Sequence, residues 1–237
     1  MVCPLCQKEK PLVESHVIPE FLYRPLYDDK HRAIEAKLVP KGFKYLQKGY
    51  REPLLCKDCE DTISKFETHF ANAWYQEGKC PNKINNSTVQ VTGLDYTLFR
   101  LFHLSILWRA GISKREEFSK VQLGPHEERI RRMIFAGDPG KPNQYPLYVM
   151  FLITPETRKV QQQMIILPGD LRIEGHRVYL FSFGGCAWYY LVSGHAPPSY
   201  FSHAPSLDGV LTAAVQDWTN FQPVRAFAER YRTPAIS

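Results

Sequence analysis

In the first third of the chain, apolar residues recur with a helical period in one long stretch. Ile63, Phe66, Phe70, Ala73 and Trp74 fall within an arc of roughly 100° on a helical wheel, so residues 61–76 read as an amphipathic helix stopped by Gly78. Ahead of it, residues 13–18 have strand-like content running into Pro19, and 54–56 lead into a tight turn. Residues 95–110 are apolar nearly all round, the pattern of a helix central to its domain. Residues 125–136 read as another helix, with Pro125 near its first position, Glu127 and Glu128 in the first turn and Gly137 past its end. Beyond Pro142 the pattern shortens to strands at 147–153, 160–167, 178–183 and 187–192, with Gly184-Gly185 as a hairpin turn between the last two. Residues 211–218 and 224–231 look helical. These elements predict an α+β fold whose larger sheet is mainly antiparallel, flanked by helices earlier and later in the chain.

Composition divides the chain. Residues 1–80 hold ten of the fifteen lysines and four of the six cysteines, whereas most arginines and aromatic or β-branched runs follow residue 94. Between them, residues 81–93 begin polar and turn-rich and read as a linker or long loop. The predicted organisation is therefore a small module at 1–80 and a larger α+β domain at 94–237. The formal charge of +6 over 237 residues permits nucleic-acid binding without requiring it. Residues 1–80 carry thirteen Lys and Arg against twelve Asp and Glu, so the surplus does not lie in the small module. No basic, apolar leader opens the sequence, and Asp95, Arg100, His103 and Arg109 interrupt its most apolar stretch. The expectation is a cytoplasmic protein that crosses no membrane, with thiols kept reduced.

Chemistry concentrates in the cysteines. Cys3 and Cys6 form one C-x-x-C pair, and Cys56 and Cys59 another. Two residues between thiolates let both sulfurs reach one ion from a tight turn, and two such turns complete a closed tetrahedral zinc site. The 49 residues between Cys6 and Cys56 exceed a simple zinc ribbon, so zinc should help to fold a large insertion. Cys80 and Cys186 have no partner in sequence and read as ordinary thiols. Glu60 and Glu67, seven apart, lie at the edge of the apolar helical arc. They are either rim glutamates or carboxylates that need a cation, basic side chain or metal, beside a buried face.

Within the insertion stands Glu14-Ser15-His16-Val17-Ile18-Pro19. A C-x-x-C pair, a strand carrying His followed by two apolar residues and Pro, and a second C-x-x-C opening a helix resemble the HNH (ββα-metal) endonucleases over residues 3–76. The resemblance implies a hydrolase that cleaves phosphodiester bonds in DNA, in a role such as defence against foreign DNA. It places His16 at the general base, a role suited to a group titrating near neutrality. It gives Cys3, Cys6, Cys56 and Cys59 to a structural Zn²⁺, and places Glu60 and Glu67 within reach of a catalytic Mg²⁺ or Mn²⁺.

The motif departs from the family at several positions. Ser15 stands where Asp or His commonly precedes the base, no Asn occurs before Asn72, and Ser64 occupies the usual offset of the final His. Either Glu60, Glu67 or His69 replaces the missing ligands, or the fold serves as a catalytically silent zinc-containing module that binds nucleic acid or protein. Lys37, Lys41, Lys44 and Lys48, with Phe43, Tyr45 and Tyr50 among them, form a segment able to meet a phosphate backbone, or a solvated loop. Arg129, Arg131 and Arg132 are a second basic cluster, with Glu127 and Glu128 at hand to pair with them. Residues 94–237 contain no catalytic motif and are the expected surface for a partner, a ligand or a second subunit.

Overall fold

The computed structural model of the protein describes residues 1–38, 41–198 and 205–232; the side chains of residues 37, 38, 41 and 232 lie outside that description. The N-terminal cysteine turn leads into β1 (Leu12–His16), which pairs antiparallel with β4 (Arg51–Cys56). The hairpin β2 (Ala33–Leu38) and β3 (Lys41–Leu46) lies between them in sequence. From β4 the chain passes directly into α1 (Lys57–Ala71), so β1, β4 and α1 make a β-β-α unit. Helix α1 starts four residues earlier than its periodicity suggests, directly after the extended Cys56, where Asp58 and Glu60 complement the helix dipole in the first turn. It continues as a wider π turn, Asn72–Gln76, that buries Trp74.

The second half is built on α2 (Tyr96–Ile112), whose Asp95 N-cap accepts from the Leu98 N–H at 2.8 Å. Every residue from Phe99 to Ala110 is buried, as the helix's all-round apolarity predicts. Helix α3 (His126–Ala136) ends at Gly137, whose φ of +67° supplies the left-handed stop. Around these lies a six-stranded sheet of β5 (Thr88–Val91), β6 (Leu147–Ile153), β7 (Ile166–Ile173), β8 (His176–Phe183), β9 (Cys186–Val192) and β10 (Leu211–Asp217). Its order is β5-β10-β6-β9-β8-β7, antiparallel except for the parallel pair β10–β6. Helix α4 (Gln222–Arg232) follows. The protein is α+β.

Two expected elements differ. Residues 211–218, read as a helix, form strand β10. Leu, Ala and Gln favour helix, but Leu211 and Ala213 alternate into the core, and pairing on both edges with β5 and β6 overrides that propensity. The strand expected at 160–167 begins only at Ile166; Val160 makes a single bridge to Ile153, and Pro168 is accommodated on the edge strand β7 beside a bulge. Residues 81–93, read as a linker, include β5, and one apolar core runs from Cys3 to Ala213. Its centre is aromatic. Phe70 stacks on Phe102 with ring centroids 4.0 Å apart, and Trp74 stacks on Phe151 at 5.7 Å while its indole N–H donates to the Gly184 carbonyl at 2.9 Å. Gly184 and Gly185 make the expected hairpin turn, with φ of +61° and +82°.

Candidate metal centre and catalytic cluster

The four paired cysteines meet. The Sγ atoms of Cys3, Cys6, Cys56 and Cys59 all lie within 4.8 Å of one another, and none is in a disulfide. A tetrahedron of sulfurs about 2.3 Å from zinc has edges of about 3.8 Å; Cys6 and Cys56 Sγ are 3.8 Å apart. Local structure explains the convergence. Gln7 takes a φ of +58° and donates to the Cys3 carbonyl at 2.8 Å, which turns the first pair back on itself. Strand pairing sets Leu12 opposite Cys56, and the start of α1 lifts Cys59 beside it. Burial raises the Cys3 thiol's pKa, but backbone hydrogen bonds from Cys56, Cys6 and Leu5 outweigh it and bring it to about 7. Cys59 is pushed well up, first by burial and then by the neighbouring sulfurs, a crowding that a divalent cation reverses. The donor set therefore fits a structural Zn²⁺. Cys80 and Cys186 are buried, free and raised by burial, as expected of inert thiols.

His16 ends β1, half-buried, opposite Arg51. Its Nε2 lies 2.6 Å from the Lys48 carbonyl oxygen. A carbonyl only accepts, so Nε2 is the donor in this contact, and Nδ1 is the ring nitrogen left outside it. Lys48 and Gly49, with φ of +61° and +64°, form the turn that aims this carbonyl. Ser15 is buried and Glu14 exposed.

Glu67 is brought to His16 and Glu60; the charges of both act on its carboxyl group. Its nearest cation is Arg109, a fully buried side chain from α2, at 2.7 Å. Burial raises the Glu67 pKa against the pull of Arg109. The same guanidinium donates from Nη1 to the His16 carbonyl at 2.6 Å. Of the two readings open for Glu67, rim glutamate or carboxylate beside a cation, the Arg109 pair fits the second. Glu60 Oε2 is buried and makes no hydrogen bond among the described residues. His69 lies elsewhere, lining a groove with Asp61, Ser64 and Thr68. Among the described residues no set of three or more His, Cys, Asp or Glu ligand atoms other than the four cysteines converges within 4.8 Å.

Of the basic clusters, Arg131 and Arg132 both pair with Glu128, whose carboxyl group their hydrogen bonds, Arg131's first, hold down to about 2. Arg131 also donates to the Leu5 carbonyl at 2.6 Å, clamping the first cysteine turn from α3. Lys44 pairs with Glu35 at 2.9 Å; the Lys37 and Lys41 side chains lie outside the described residues. Sequence reasoning missed Arg109 and the Lys48 carbonyl. The first had a signal, a charge inside an all-apolar helix, whereas a backbone carbonyl leaves none. Among the described residues, no helix is long and apolar enough to cross a membrane. No protein-family model, curated protein or solved structure matches the chain.

Proposed function

We propose that the protein is a zinc-stabilised, metal-dependent phosphodiesterase of the HNH (ββα-metal) kind, acting on DNA in a reducing compartment such as the cytoplasm. The observation that carries this reading is the His16–Lys48 hydrogen bond within a β-β-α unit closed by four cysteines. The family's orienting asparagine is absent, and the Lys48 carbonyl supplies the same restraint. Nδ1 of His16 takes the proton of the attacking water, whose oxygen forms the new bond to phosphorus as the sugar oxygen departs. Glu60, with a buried oxygen lacking a hydrogen-bond partner among the described residues, would hold Mg²⁺ or Mn²⁺. When bound, that ion neutralises charge on the scissile phosphate and the leaving oxygen. Glu67 and Arg109 act as supports, fixing the main chain of His16. Defence against foreign DNA is the role this reading suggests.

The test is plasmid cleavage by the zinc-loaded protein in Mg²⁺ or Mn²⁺. Wild type is expected to nick or linearise the plasmid, and His16→Ala to lose about 10²–10⁴-fold of the rate. Equal rates in the two would sink the base assignment. The Glu67–Arg109 pair favours a second reading, a silent binding module, since it engages one of the four candidate acid–base or ligand groups, His16, Glu60, Glu67 and His69. DNA retention with no cleavage by zinc-loaded wild type would establish that alternative.

A further inference from the structure

A cleft of about 440 Å³, open to solvent past the exposed Ile34, lies between the hairpin β2–β3, the start of β7 and α4. Leu46, Ile166, Trp218 and Phe227 make its walls largely apolar, and Tyr23, Tyr50 and Glu35 bring polar groups to it. The Glu35 side chain is only 9% exposed, pairs with Lys44 and lies beside the Tyr50 hydroxyl. The Tyr23 hydroxyl is buried and, close though it lies to the Tyr50 backbone, makes no hydrogen bond of ordinary geometry among the described residues. A buried hydroxyl in that state is stabilised by any partner that reaches it.

We infer that this cavity is a binding site for a small, flat, mostly apolar molecule carrying one N–H or O–H donor. The volume falls within the range of small-molecule pockets, roughly 300–1,000 Å³, and is too small for a packed helix. Apolar walls disfavour sugars and phosphates, whose polar groups would lose water without replacement, and the Tyr23 hydroxyl is an oxygen that can accept from a donor. The site is joined to His16. A Cβ at Gly49 would fall 2.6 Å from the Tyr23 ring, so that ring is packed under the turn whose Lys48 carbonyl holds the imidazole. The binding site stands whether or not the phosphodiesterase reading holds.

The probe is N-phenyl-1-naphthylamine, a neutral aromatic with a single N–H whose fluorescence rises on leaving water. Titrated into the full zinc-loaded chain, it should saturate at one per molecule. Ala33→Trp, which fills the cavity from the buried face of the hairpin, should weaken binding at least tenfold, while Phe135→Ser, at an exposed position on α3, should leave it unchanged. Val224→Trp, from the opposite wall, serves the same purpose if the first variant does not fold. Non-saturating fluorescence, or equal binding by folded plugged variants, would overturn the site. Saturating dye should also move the His16 ring resonance, and a stationary signal would overturn the link to His16.

Discussion

At Lys48 and Gly49 two successive residues take positive φ, and the turn they form delivers one carbonyl to His16. Gly49 has no room for a side chain against Tyr23. Gly49→Ala therefore adds left-handed strain to a steric clash and should cost about 1–3 kcal/mol, measured by urea unfolding. It should also loosen the His16 imidazole, giving a larger loss of cleavage than of stability. Arg109 poses a different problem, because its charge is fully buried and its carboxylate partner is a single residue. Glu67→Ala leaves that charge unpaired and should cost about 3–5 kcal/mol, whereas Glu67→Leu combined with Arg109→Met should recover much of the loss. A double-mutant cycle by chemical denaturation measures the coupling; additive losses would show that the pair does not act as one unit.

The β-β-α unit depends on closure at one end. Strands β1 and β4 form a two-stranded sheet, too small to be stable alone, and the cysteine cluster joins their ends to the start of α1. One zinc per chain is expected by elemental analysis. A strong chelator, or Cys59→Ser, should lower the melting temperature and remove the cooperativity of the β1–β4 amides in hydrogen exchange. A chain that melts unchanged without zinc would refute the structural role. This closure was legible in the spacing of Cys3, Cys6, Cys56 and Cys59, because metal geometry limits the residues between ligands. Helix α2 and strands β6, β8 and β9 were equally legible, since their periodicity and burial agree. Strand β10 was not, because its helix-favouring residues take their conformation from β5 and β6, which lie far away in sequence. The same holds at the candidate site: Glu60, Glu67 and His16 could be nominated, but which cation meets Glu67 depended on where α2 packs.

Across the whole molecule, the first 80 residues do not close on themselves. Trp74 is buried against Phe151 and Trp188, Arg131 holds the first cysteine turn, and Ser113 at the end of α2 donates to Glu52 of β4. A chain ending at residue 80 would expose Phe70 and Trp74 and lose Arg109. It should show no cooperative melting even with zinc, while the full chain melts as a unit; calorimetry distinguishes the two. The place of β10 between β5 and β6 carries a consequence for synthesis on the ribosome. Strand β5 is complete at Val91 but gains its one sheet neighbour among the described residues only from Leu211, about 120 residues later. At bacterial or eukaryotic elongation rates that delay is on the order of 10 s. Through that interval the nascent chain carries an unpaired edge beside an apolar helix, which makes it a natural client for chaperones that shield emerging polypeptides.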